Sequence, residues 1–153
     1  MSFIDSLISR GLDLVDQVTA EHASRAPQAP PKPYPLDTTA FVTLDGSGNG
    51  KLTLGPAKVR EHWQINTVSV NAQTPGQTAP TNDAVCAVYL GTLSLVGQFL
   101  TQTATGSTGD TAQLSGQDIQ PGYRIVAVWT GGDPNAKAAL HVTGTYTIGI
   151  PAQ

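Results

Sequence analysis

Hydrophobic positions change their rhythm twice along this chain. Over residues 3–22 they follow a helical period. Ile4, Leu7, Leu14 and Val18 fall at 3-4 spacing with Gly11 as the gap, and Phe3, Ile8, Leu12 and Val15 widen the stripe. Asp13, Asp16, Gln17 and Glu21 occupy much of the opposite face. Ser2-Phe3-Ile4-Asp5 opens the segment as a capping-box-like start, with the Ser2 hydroxyl and the Asp5 carboxylate both placed to serve first-turn amides. The spacing predicts an amphipathic helix over 3–22. Between Pro27 and Pro35 five of the eleven prolines then follow one another closely. Proline fixes φ, removes a donor and biases its predecessor to extended geometry, so residues 24–37 are predicted to be a semi-rigid polyproline linker.

From residue 38 onward the helical period disappears. Thr38–Leu44 is a β-favouring run, 45–50 a glycine-rich turn and Lys51–Leu54 a return, which together predict a hairpin. Trp63 and Ile65 alternate in one phase, Val68 and Val70 in the other, and the slip near Asn66-Thr67 predicts a β-bulge. Residues 71–83 read as a long polar loop. Val85–Leu90 is apolar almost throughout, as a central strand buried on both faces would be, with Gly91 ending it. A further strand is expected within 94–101, a turn over 106–110 and a connection over 114–120, followed by a turn at Pro121-Gly122. Tyr123–Trp129 is a strong strand closed by Gly131-Gly132-Asp133-Pro134. The last strand sets Val142, Gly144, Tyr146 and Ile148 against His141, Thr143, Thr145 and Thr147. The fold class expected is mainly β: an antiparallel two-sheet β-sandwich, jelly-roll-like, preceded by one N-terminal amphipathic helix and a Pro-rich linker. Its domains are an anchoring or oligomerisation helix (1–23), the linker (24–37) and a β-sandwich head (38–153).

Charge narrows the function classes. The 153 residues carry a net charge of −3, with eight Lys and Arg that never cluster, so binding nucleic acid by charge is excluded. Charged residues make up 12% of the chain, about half the usual quarter, and Thr, Gln, Asn, Ser and Gly take their place. Such a surface suits contact with copies of itself, with neighbouring subunits, or with neutral polar ligands such as sugars. No apolar run is long enough for a membrane span, and the acidic helix lacks the basic rim of a membrane-surface helix. The N-terminus lacks a basic start, and its apolar run is broken by Asp5, Arg10, Asp13 and Asp16, so no signal peptide is read there. The expectation is a protein kept in the cytoplasm until it is assembled. The single Cys86, inside an apolar run, is expected to be a buried structural thiol.

Candidate chemistry is sparse. Asp45-x-Ser47-x-Asn49-Gly50 resembles the front half of a calcium loop, but Pro56 stands where the bidentate Glu belongs, and a turn explains the same residues. There is no Gly-x-Ser-x-Gly elbow, His-Glu-x-x-His or cysteine pair, and His22, His62 and His141 are isolated from one another. No catalytic residue, cofactor or metal site is assigned. Trp63, Tyr89, Tyr123, Trp129 and Tyr146 are expected in strands, with core packing as the default for each. Trp129 lies beside a loop rich in Asp, Asn and Gly, so Trp129, Asp133 and Asn135 form a candidate glycan contact.

Trp63-x-Ile65-x-x-Val68-x-Val70, Cys86-x-Val88-Tyr89-Leu90-Gly91, Gly122–Trp129-Thr130-Gly131 and Val142-x-Gly144 together resemble small β-sandwich virion proteins of tailed phages infecting actinobacteria. The resemblance covers residues 60–148 and consists of strand-core positions. It implies a structural role as a head decoration, head fibre or minor tail component, with no catalytic residues to transfer and a location on the virion. The helix needs its apolar face covered. Its own head, a parallel bundle of copies (a trimer is favoured) or a groove on a capsid or tail protein could each cover it. The assembly face expected is Ile4, Leu7, Gly11, Leu14 and Val18.

Overall fold

A computed structural model describes residues 30–74, 76, 79–92, 98–102 and 110–149. The predicted helix, its assembly face, residues 24–29 of the linker and most of the turn expected over 106–110 lie outside the described residues. Pro31–Gln153 forms one compact unit. Its strands are β1 (Tyr34–Thr43), β2 (Gly50–Leu54), β3 (Glu61–Gln73), β4 (Val85–Thr92), β5 (Gln98–Gln102), β6 (Asp110–Ile119), β7 (Tyr123–Thr130) and β8 (Lys137–Ile148). They form two four-stranded sheets, ordered β1-β8-β3-β6 and β2-β7-β4-β5, with every pairing antiparallel. The fold is thus mainly β with two antiparallel sheets. The pairs β1/β8, β2/β7, β3/β6 and β4/β5 nest inside one another, as in one long hairpin folded over on itself.

Alternation supplies the core. Ile65, Val68 and Val70 of β3, Leu140 and Val142 of β8, Cys86 and Val88 of β4, and Ile125, Ala127 and Trp129 of β7 belong to one buried cluster fed by both sheets. Each fully buried Val, Leu or Ile contributes about 1.5–3 kcal/mol. The phase slip in β3 is a bulge: its register jumps between Ile65 and Thr67 against both neighbours. One extra residue lets Trp63 and Ile65, then Val68 and Val70, all point inward. On β8 the residue across from Ile65 is Gly144, where a Cβ would stand 2.0 Å from the carbonyl oxygen of Gln64. Only glycine lets the bulged strand lean in.

Several expectations change, among them the loop expected over 71–83, whose first three residues belong to β3 and pair with β8. The hairpin over 38–54 is replaced by an arch, because β1 and β2 belong to different sheets. Leu44, 1% exposed, is the pivot, and its amide donates to the carbonyl of Ala136 at 2.9 Å. The linker is shorter than its prolines suggest: Tyr34–Asp37 already pair with Tyr146–Thr143. Pro35 is tolerated there because β1 is an edge strand. Residues 114–119 belong to β6 and do not form a loose connection. Ser115 (φ 51°) and Gly116 (φ 81°) interrupt the strand locally, opposite the β3 bulge, which hides its period. Finally, β4 runs on to Thr92, and only one of its faces is fully buried. Ala84, Cys86 and Val88 point inward, while Val85, Ala87 and Tyr89 are half-buried.

Candidate functional site

The loop after β7, where a glycan contact was expected, serves to hold the fold together. Trp129 has no exposed surface and packs in the core, so neither ring face can receive a sugar. Burial follows from its phase, which it shares with Ala127 and Ile125. Asp133, 8% exposed, accepts from the amides of Thr81 and Asn82 at 2.8 Å each and from Asn82 Nδ2 at 3.0 Å. Its carboxylate staples the β3–β4 loop to the β7–β8 loop. Asn135 is exposed and takes a left-handed turn conformation (φ 62°). With Trp129 buried and the Asp133 carboxylate bonded to Thr81 and Asn82, the glycan contact expected at Trp129, Asp133 and Asn135 does not form.

The calcium-like run is a structural turn as well. Asp45 Oδ1 accepts from the amides of Ser47 (2.8 Å) and Asn49 (2.9 Å), and Asn49 Oδ1 accepts from the amide of Gly131 at 3.3 Å. These oxygens hold two loops together. Among the described residues no group of three His, Cys, Asp or Glu side chains could hold a metal ion. Glu61 is committed to the indole N–H of Trp63 at 2.8 Å, which leaves its neighbour His62 without an acid partner there. Cys86 is fully buried, and desolvation pushes its thiol up to about 12, a proton-bearing and unreactive state.

Polar side chains with geometry to offer lie on the outer face of the β1-β8-β3-β6 sheet. Strand register sets them in cross-strand rows. One row is Phe41–Ala139–Asn71, the next Thr39–His141–Ser69–Thr111, and the next Asp37–Thr143–Thr67–Gln113. His141 Nε2 meets Asp37 Oδ1 at 2.8 Å, Ser69 Oγ bonds Thr111 Oγ1 at 2.7 Å, and Thr67 bonds Thr143. Phe41 is 57% exposed, and the Lys137 ammonium stands 4.5 Å from its ring centre. Ser69, His141 and Asp37 are the residue types of a nucleophilic triad. Ser69, however, bonds Thr111 and makes no hydrogen bond to His141, so the base does not reach the nucleophile.

Thr39, Phe41, Ser69, Asn71, Ala139 and His141 surround a depression of about 260 Å³. Sequence reasoning missed it because its walls come from three strands far apart in the chain. One signal was present: Phe41 is a large apolar residue in the outward phase of Asp37, Thr39 and Thr43. Compared with known proteins, the chain matches no protein-family model and no curated protein.

Proposed function

We propose that the chain is a non-enzymatic virion structural protein, a capsid-decoration, head-fibre or tail-associated knob held by its N-terminal helix. The observation that carries this reading is the nested strand order. Pairing each strand with its mirror from the other end of the chain is the order of a jelly roll, an architecture used by viral capsid and lectin domains. A fold by itself hosts many functions. Its combination with an amphipathic segment and a proline-rich spacer immediately before it favours a displayed head. The sparsely charged surface and the resemblance over residues 60–148 point the same way. The helix would close its apolar face on copies of itself, with a trimer favoured, or on a capsid or tail protein.

An Ile4→Asp, Leu7→Asp double variant of the full chain tests the anchor. The expected outcome is loss of incorporation into assembled particles, with the circular dichroism and melting of the β unit unchanged. Normal incorporation of the variant would sink the reading. The second reading, a carbohydrate-binding module, no longer rests on Trp129. What favours it is the depression beside Phe41.

A further inference from the structure

We propose that the depression on the outer face of the β1-β8-β3-β6 sheet is a binding site for one neutral pyranose ring, with Phe41 as its apolar wall and Asn71, Thr39 and His141 as its polar contacts. The inference deepens the carbohydrate-binding reading and is independent of where the protein is assembled.

The site exists because a small residue stands among tall ones. Ala139, 9% exposed, is the floor, and strand register places Phe41 on one side of it and Asn71 on the other. His141 and Thr39 close the next row. At about 260 Å³ the space falls below the roughly 300–1,000 Å³ of pockets that bury a drug-sized ligand, so it suits a single ring.

The chemistry of the walls selects the ligand. A pyranose has a face of C–H groups and a rim of hydroxyls, each a donor and an acceptor. Phe41 supplies an exposed aromatic face, electron-rich at its centre, for the C–H side. Lys137 lies in the neighbouring row and does not line the depression, so it props the ring from outside. Across the floor, the Asn71 carboxamide and the Thr39 hydroxyl make no side-chain hydrogen bond among the described residues, and both can donate and accept. His141 bonds Asp37 through Nε2, which leaves Nδ1 to meet a sugar hydroxyl, itself both donor and acceptor. Asp37 and Lys137, one of each sign, adjoin the lining residues His141 and Phe41 but do not themselves line the space, which disfavours an ionic ligand.

The test is a two-dimensional NMR titration of the full chain with the methyl glycosides of glucose, galactose, mannose and N-acetylglucosamine. At least one glycoside is expected to shift the amides of Thr39, Phe41, Asn71, Ala139 and His141 along a saturating curve. Phe41→Ala and Asn71→Ala should each raise the dissociation constant about tenfold while the spectrum stays dispersed. Neither residue is in the buried core, so both variants should fold. Silence of this face to every glycoside overturns the proposal, as does binding that both variants leave unchanged. Shifts of the same residues with protein concentration alone would identify a contact between copies and would also overturn it. Loss of particle incorporation in the Ile4→Asp, Leu7→Asp variant has no bearing on either outcome.

Discussion

Gly48 and Gly132 meet backbone to backbone: the amide of Gly132 donates to the carbonyl of Gly48 at 3.0 Å. A Cβ on Gly48 would stand 1.8 Å from the carbonyl oxygen of Gly132, and Gly48 also has φ +73°. The arch that carries the chain from β1 to β2 is thereby locked to the loop that carries it from β7 to β8. Gly48→Ala meets a main-chain clash and a disfavoured φ together, and is expected to lose at least about 2 kcal/mol. Urea denaturation of the variant measures it. An unchanged midpoint would show that the two loops are not packed this closely.

The start of β1 makes a second prediction. A chain beginning at Thr38 lacks Leu36, which is 8% exposed, and Tyr34, whose ring stacks on Tyr146 with centroids 5.4 Å apart. Burial of Leu36 and the aromatic pair together are worth about 2–4 kcal/mol. Residues 31–153 should therefore unfold at a clearly higher denaturant concentration than residues 38–153. Coincident curves would place the edge of the folded unit after Asp37.

Legibility followed locality. Strands whose alternation is uninterrupted, such as Tyr123–Trp129 and the last strand, stand out in the sequence because period-2 burial is a property of neighbouring residues. The β3 bulge was legible for the same reason: it reverses phase within one segment. Sheet membership was hidden, since Val42 and Leu52 would face a core equally well across a hairpin or across an arch. In β6 a Ser-Gly pair at positive φ broke the period, so a paired strand looked like a connection. Trp129 carried two readings, core packing from its strand and a ligand contact from its loop composition, and its inward phase decided for the core. The depression beside Ala139 depends on the register of three strands, and a single chain pattern carries only the outward Phe41.

Trp129 makes a third prediction. Its Nε1 is buried with no hydrogen-bond partner among the described residues. Trp129→Phe removes that donor and keeps most of the packing, whereas Trp129→Ala leaves a large cavity costing about 3–5 kcal/mol. Phenylalanine is expected to cost far less than alanine in thermal melts. Equal losses would mean that the indole N–H is satisfied and contributes.

Asp133 makes a fourth. Asp133→Ala strands the amides of Thr81 and Asn82, which water can only partly serve, and should cost about 1–3 kcal/mol. Hydrogen exchange should quicken at those two amides and remain unchanged at the centre of β3. Unchanged protection at Thr81 and Asn82 would remove the staple.

Cys86 ties the core to pH. Burial raises its thiol from an ordinary value of 9.0 to about 12, against a smaller lowering by a hydrogen bond from the Val128 backbone. Between those limits the folded thiol keeps a proton that the unfolded thiol gives up, so the unfolded state binds fewer protons and stability falls as pH rises. The contribution is complete below pH 9 and declines above it by up to about 1.4 kcal/mol per pH unit. Lysines and tyrosines titrate in the same range, so the comparison is with Cys86→Ala, which lacks this one group. The difference in unfolding free energy between the two proteins should be flat from pH 6 to 8 and should narrow as pH climbs past 9. In the native state the thiol should also resist a disulfide reagent until denaturant is added. Parallel pH profiles, or rapid labelling of the folded protein, would mean that Cys86 is reached by solvent and that the inner face of β4 is open.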